Sequence, residues 1–547
     1  MSFHYQFQAV GVLNVKSNIV SFTVVSAMDG HEVASSIKRM SLITKDSPGS
    51  CDRGIGKTQK IDTMNDVNEH NPTELPPFER GHVEQDPGNI WKTVMAVIED
   101  TIDDMYHKGL PITYIKSVGI TNEIGTLLVW HSETNEPLHN AIHWTDSRIT
   151  HSNRGTASAI EWLLQNSPAV ISAANKCRFG TLDTWLLWKL TAGEMYITDM
   201  TNASYTRLFD IATLNWDMDE CRALGLAKCS WPTVHRRPNH YGIILISRLL
   251  GVTVNAVMAR PNAALFGHRC YRSGQTVLTL DVLTSVAISS FGSQGRVPKP
   301  FNSPHKPWLV VGYWEPNEPY PVLGMATASE ANVVMQWLKN NYLMSVEECI
   351  NTYANAHPSS QQAILVPAFG GLPMPPYGRP NARPAIIGIS KPMGHDELIT
   401  MVVESLCYSA ADIVQCSADG RPTDTVFIDG PYSNFGPLTQ RLSDVLGTRL
   451  IRNRCDMAID GVARMVASTI NLKYRSHHEI IVYDPISTAE QRLVWSKMWK
   501  EAIRRSDGWA APEEDEFTPS RFCRNTVQTV KSCAIGWVKW IKQLFIS

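Results

Sequence analysis

FGTLDTWLLWKLT occupies residues 179–191, and six residues later TDMTNASYTRLFDIATLNWD fills residues 198–217. Within the first run, DTWLLWKLTAGE reads as a helix with Thr181 or Asp183 as the capping candidate, because a side-chain oxygen there can take up free N–H groups of the first turn. Upstream, SVGITNEIGTLLVWHSETNEPLHNAIHW, residues 117–144, reads as strand, turn, strand, turn and strand. Residues 7–25, FQAVGVLNVKSNIVSFTVV, read as a hairpin of two β-rich runs joined by a polar turn at Lys16, Ser17 and Asn18.

After residue 255 the pattern starts again. Apolar strand sequence lies at 277–289, a helix at 330–340, a Pro-rich loop at 367–384 and a helix at 396–415. Strands with interspersed helices in both halves predict an α/β chain of two domains with a cleft between them, where ligands prefer to bind. The predicted division is 1–256 and 257–516, with a polar insertion at 44–81 and a separate tail at 517–547. The insertion has hardly any apolar periodicity, and no catalytic group is expected in it. It contains GIGKT at 54–58, which imitates the end of a P-loop, but the opening glycine would fall at Cys51 and no strand precedes it.

Composition narrows the function classes. The 547 residues are 43% hydrophobic and 19% charged, an ordinary globular mixture with room for sizeable cores. A formal net charge of -2 gives no global field toward nucleic acid, and no nucleic-acid partner is expected. The 11 cysteines are scattered with no CxxC pair, and no histidines cluster at zinc-ligand spacing, so a reducing compartment and no structural metal are expected. The first 20 residues have no basic region ahead of an apolar run, which fits a cytoplasmic protein.

The blocks at 179–191 and 198–217 resemble the glycerol kinases of the FGGY carbohydrate-kinase family, whose pattern includes T-D-x-T-N-A-S-x-T-x-L-F-[ND]. HVEQDPGNIW from His82, GITNEIGTLLVW from Gly119, AALFG from Ala263 and LVPAFGGL from Leu365 follow in the family's order. The resemblance runs from the first hairpin to about Glu516 and implies two actin-like (ribonuclease H-like) domains closing on ATP, Mg²⁺ and a polyol. Asp183, Trp185, Asn202 and Ser204 are read as residues that fix turns and helix ends, since buried polar groups usually serve hydrogen-bond satisfaction.

The resemblance also marks departures. The family's N-terminal hairpin, D-x-G-T-[ST]-[ST]-x-R, holds magnesium water and phosphate; here it reads Asn14, Lys16, Ser17, Asn18, Ile19 and Ser21, keeping only the Ser17 hydroxyl. Asn14 removes the charge that suits a hard divalent cation, while Lys16 adds a Cβ yet offers a point charge to phosphate. The second hairpin, [YF]-G-T-G, becomes Leu280, Asp281, Val282 and Leu283, and TVLTLDVLTSVAISS is therefore expected to form one plain core strand. The adenosine turn D-G-G survives as Asp429, Gly430 and Pro431, with Asn434 near the family's asparagine; Gly430 and Asn434 join Lys16 and Ser17 as the implied nucleotide contacts. In the helix that follows, Asp460 and Arg464 intrude into the family's small-residue pattern.

The family's base, an Asp in G-D-Q-Q-A-A-L-F-G, is replaced by Arg260, which has no acceptor for a proton. The Arg-Glu pair that holds glycerol becomes Ile124 and Gly125, and strand alternation turns Glu123 to the opposite face from Ile124. Trp144 matches the aromatic over the glycerol carbons. The family's tyrosine ligand falls in a segment shortened between Arg148 and Gly155.

Residues 517–547 carry five basic and no acidic residues, with Trp537 and Trp540 among apolar residues at three- and four-residue steps. This reads as an amphipathic basic helix, lying either in a membrane interface or on the protein's own surface. By resemblance to some eukaryotic glycerol kinases, the membrane would be the mitochondrial outer one. The expectation is a glycerol-kinase-like protein impaired in catalysis (a pseudokinase) that acts through binding; the alternative is an active ATP-dependent kinase for glycerol or another polyol. A homo-oligomer is compatible with either.

Overall fold

The computed structural model describes residues 7–46 and 81–508, except 151–154, 174–175, 224–229, 283, 293–306, 316, 343–344, 356–362, 391, 420, 422, 424 and 477–478. The GIGKT loop, nearly all of the predicted insertion, Leu283 and the basic tail therefore lie outside the described residues.

The predicted first hairpin is present: Ala9–Val15 pairs antiparallel with Ile19–Ser26, which pairs antiparallel with Glu32–Arg39. On its other side Ala9–Val15 pairs parallel with Ile115–Asn122, which pairs parallel with Thr253–Ala259. A strand with neighbours on both edges and cover on both faces is largely apolar, and AVGVLNV is buried at every position, Asn14 included. At Gly11 a Cβ would meet the Phe22 ring at 2.7 Å, so any side chain there would have to push that ring aside. Helix Pro87–His107 covers this sheet. Asp86 caps it by accepting from Gly88 N–H at 2.8 Å, and Pro87 opens its first turn. Ile90, Val94, Val97, Ile98, Ile102 and Met105 form its buried stripe.

The second large sheet repeats the plan. Thr276–Leu280 pairs antiparallel with Ser285–Gly292 and parallel with Thr425–Asp429, which pairs parallel with Arg449–Asn453. Val322–Ser329 and Trp308–Tyr313 extend one edge, and Ile480–Tyr483 extends the other. Helix His395–Ala418, close to the expected 396–415, lies against it.

Helices Arg260–Gly267 and Met457–Thr469 cross between the two sheets. A Cβ on Gly267 would stand 2.0 Å from Met457 O, and one on Gly461 would stand 2.1 Å from Ala263 O. Backbone touches backbone there, so only glycine fits. The same helix lays Val462 over Gly119 of the first sheet, and one apolar cluster joins Val10 and Met258 to Val277, Ile288 and Val466.

Two local expectations are corrected. Residues 276–290 form a hairpin rather than one strand. Its turn is closed by Asp281 N–H on Thr284 O at 2.9 Å and by Val282 N–H on Asp281 Oδ1 at 2.7 Å, so a short carboxylate does what glycines would do elsewhere. In helix Leu182–Leu190, Thr181 holds the N-cap position but caps nothing. Its hydroxyl donates to Asp183 Oδ1 at 2.5 Å.

Candidate functional site

Lys16, in the turn of the first hairpin, and Arg260, the first residue after the last strand of the first sheet, meet at Asp456. Asp456 comes from the second sheet's side, as N-cap of helix Met457–Thr469, where Oδ1 accepts from Ala458 N–H at 3.0 Å and Ile459 N–H at 3.3 Å. Arg260 grips it with two bonds, Nη1 to Oδ1 at 3.3 Å and Nη2 to Oδ2 at 3.0 Å. Lys16 Nζ stands 3.9 Å from Oδ2. Planar guanidinium and carboxylate match in this two-bond fork, which a lysine could not reproduce.

The local charges set one another. Burial works against a charged Asp456, but Arg260 and Lys16 outweigh it and hold the carboxyl well below its usual range. Arg260 is likewise penalised by burial, yet Asp456 and Asp281 raise it above the ordinary guanidinium value. It stays a cation at any working pH. Lys16 is pushed below the usual lysine range by burial and by Arg260, against the pull of Asp456, Asp281 and Asp429. Two cations and three carboxylates thus face one another across the cleft.

Gly430 adopts φ +89°, and a Cβ there would meet Leu280 O at 2.3 Å. Pro431–Asn434 is a single 3₁₀ turn, and the Asn434 side-chain oxygen accepts from Arg452. Asp429 receives His268 Nε2 at 3.0 Å. Asn453 Nδ2 donates to His268 Nδ1 at 3.1 Å, which places the imidazole proton on Nε2 toward Asp429. The Ser17 carbonyl accepts from Gln85 Nε2 at 2.6 Å.

On the substrate side, Trp144 is 6% exposed and shares an apolar cluster with Ile124 and Tyr205. Glu123, in the turn that follows strand Ile115–Asn122 rather than in the strand, bonds instead to Thr126 Oγ1 at 2.6 Å and His143 Nε2 at 3.1 Å. The cluster at Asp456 therefore unites Lys16 and Arg260, while Trp144 sits with a different set of neighbours and Asn434 with Arg452.

The segment at 198–217 builds a second polar network. Asp199 caps helix Met200–Ser204 through Thr201 N–H at 2.7 Å and Asn202 N–H at 3.0 Å, and it also accepts from Asn202 Nδ2 at 2.6 Å. Thr198 Oγ1 donates to Asp183 Oδ2 at 2.7 Å, and Asn122 Nδ2 donates to Asn202 Oδ1 at 2.8 Å. Ser204 Oγ receives Val311 N–H at 3.1 Å, joining this helix to the second sheet. Asp183, Asn202 and Ser204 thus spend their polar atoms on the scaffold.

The profile of the FGGY family of carbohydrate kinases, N-terminal domain, matches residues 61–155 and 148–257, and that of the C-terminal domain matches residues 295–467. The chain belongs to the FGGY family of carbohydrate kinases.

Among similar proteins, glycerol kinase of Polaromonas sp. is 27% identical over 83% of this chain and 98% of its own length. Glycerol kinase of Francisella philomiragia is 29% identical over 79% and 91%, and probable glycerol kinase of Caenorhabditis elegans is 27% identical over 79% and 92%. The structure of Plasmodium falciparum glycerol kinase with ADP superposes with a TM-score of 0.70 at 20% identity, covering 91% of this chain and 98% of that one. Gluconate kinase from Lactobacillus acidophilus reaches 0.68 at 15% identity, covering 91% and 98%. This FGGY protein is glycerol-kinase-like in sequence and has the two-domain, actin-like fold of these kinases.

Sequence reasoning about this family member missed Asp456, His268 and Asn453. For Asp456 a signal existed, an Asp directly before the apolar-periodic run MAIDGVARMVAS, which is a helix start. His268, at the end of helix Arg260–Gly267, meets Asn453, at the end of strand Arg449–Asn453, only through tertiary packing, and no local pattern announces that. The intruding Asp460 accepts from Tyr474 and Ser476, and Arg464 lies on the Phe266 ring at 3.9 Å.

Proposed function

We propose that this chain is a glycerol-kinase-like protein that has given up phosphoryl transfer and acts by binding. The observation that carries the reading is Arg260, at the family's base position, locked by two hydrogen bonds to Asp456. A guanidinium with no lone pair cannot take the proton of an attacking hydroxyl, and loss of a positioned base costs about 10²–10⁴ in rate.

Three further features support it. The N–H groups of Asp281 and Val282 are consumed within their own turn, so they are not offered to a phosphate. The Lys16 N–H is spent on Ile19 O at 2.8 Å. Asn14 brings an amide where the family has a carboxylate, which removes the charge that suits a hard divalent cation. These residues do not fit Mg²⁺ with a triphosphate, and each lost donor to the transferring group costs about 10²–10³ more.

A second reading, ATP-dependent phosphorylation of glycerol or another polyol, is favoured by one observation. Lys16 is pushed toward its neutral amine, which could accept a proton. ADP production by purified protein with Mg-ATP and a panel of polyols separates the two. No turnover above blank is expected. Turnover lost on changing Lys16→Met or Arg260→Ala would establish the kinase.

The tail at 517–547 is proposed to lie in a membrane interface, on the cytoplasmic face of the mitochondrial outer membrane. A chain ending at Glu516 should leave the membrane fraction; one that stays there refutes the anchor. Among the described residues no helix is long and apolar enough to cross a membrane.

A further inference from the structure

Glu123, His143 and Thr145 form a polar constellation that takes no part in the Arg260–Asp456 cluster. His143 follows strand Ala141–Ile142 and is fixed by its own N–H on Val83 O at 2.9 Å. Its Nε2 lies 3.1 Å from Glu123 Oε2. The other Glu123 oxygen accepts from Thr126 Oγ1 at 2.6 Å, and Thr126 Oγ1 in turn accepts Trp144 N–H at 3.3 Å, so the carboxylate is held from both sides.

The tautomer follows from the backbone. His143 Nδ1 receives the N–H of Thr145 at 3.3 Å, so its lone pair points that way and the ring proton sits on Nε2, facing Glu123. Thr145 Oγ1 stands 2.8 Å from the same Nδ1. A carboxylate orients an imidazole whose free nitrogen accepts from a hydroxyl: this is the order of groups that activates a nucleophile, whatever the fold that carries it. His143 is fully buried and Glu123 is 7% exposed, whereas Thr145 keeps part of its surface in solvent. The Thr145 hydroxyl thus stands at the edge of a buried Glu123–His143 pair, on a residue that keeps part of its surface in solvent.

We propose that Thr145 is a nucleophilic residue, with His143 as its general base and Glu123 as a positioning residue, that accepts an acyl group from small activated esters. In that step Thr145 Oγ bonds to the ester carbonyl carbon while its proton moves to His143 Nδ1. The bond from that carbon to the leaving oxygen breaks, and the leaving group departs with the electron pair. The imidazolium stays paired with Glu123 until it releases its proton to water. The chemistry uses no nucleotide and stands apart from the loss of phosphoryl transfer.

The test treats the full chain with p-nitrophenyl acetate, follows p-nitrophenolate release and locates acetyl groups by peptide mass spectrometry. The expected result is acetylation of Thr145, with p-nitrophenolate released in step with the adduct. Thr145→Ser should still react and Thr145→Val should not, while folded His143→Gln should slow the adduct by ~10²-fold or more. Acetyl groups confined to other residues overturn the proposal. So does a Thr145 adduct formed equally fast in His143→Gln. Should that variant fail to fold, Thr145→Val decides, and p-nitrophenolate release as fast as in the unaltered chain overturns the proposal.

Discussion

Two buried polar clusters meet at the end of one strand and satisfy their charges in opposite ways. Thr253–Ala259 gives its last N–H, that of Ala259, to Thr201 Oγ1 at 2.7 Å, within the network of Asp183, Asp199 and Asn202. The next residue, Arg260, enters the cluster with Lys16 and Asp456. In the first cluster the carboxylates are met by hydroxyls and amides. In the second, charge meets charge. The first lies in the segment that resembles the glycerol-kinase pattern, and the second is a set of opposite charges that pair with one another directly beside it.

The contrast gives each cluster its own signature. Changing Asp456→Ala would leave Arg260 buried without its partner and strip the cap from helix Met457–Thr469. Breaking a buried pair costs about 3–5 kcal/mol, and because the Asp456 side chain is 31% exposed a loss of about 2–4 kcal/mol in urea unfolding is expected. A loss under ~1 kcal/mol would mean the pair is only a surface contact.

Asp199→Ala comes next, at about 1–3 kcal/mol, because the N–H groups of Thr201 and Asn202 lose their acceptor. The two carboxylates also act oppositely on pH. Burial and the nearby Asp183 raise Asp199 to about 7 from 3.8. Its contribution to stability is full below pH 3.8 and is lost as pH rises through about 7, whereas that of Asp456 is present above 3.8 and lost as pH falls through its depressed value. Asp199→Asn should therefore flatten the decline of stability between pH 3.8 and about 7; an unchanged slope would remove Asp199 as its source.

Lys16→Met should have the smallest effect, within ~1 kcal/mol, since its ammonium stands 3.9 Å from Asp456 and its side chain is 17% exposed. A larger loss would place Lys16 beside Arg260 as an equal partner.

Much of the architecture was legible because it is written in local pattern. The first hairpin, the helix at 396–415 and the strand sequence at 117–144 were all readable from apolar runs and turn residues. The hairpin at 276–292 was not, because its turn carries no glycine or asparagine and depends on Asp281 binding the next N–H. The cap at Asp199 was also missed. Asp183 drew attention instead, although its carboxylate receives Thr181 and Thr198. In the cleft, Lys16 and Arg260 were found through family resemblance, but their meeting point was not. Asp456 lies 196 residues from Arg260, and only the crossing of two glycine-faced helices brings them together. The Glu123 and His143 pair stayed hidden for the same reason, since a turn and two strands separate them.

The central claim is that the cleft holds its own charges in place of a nucleotide's. Thermal unfolding of the full chain at millimolar Mg-ATP tests it most directly, because a ligand that binds only the folded state at 100 times its Kd adds about 2.7 kcal/mol. The account predicts no rise in Tm with Mg-ATP, with or without glycerol. A rise of about 2 °C or more that disappears in Lys16→Met would contradict it, because the triphosphate would then be held where Asp456 is said to stand in its place.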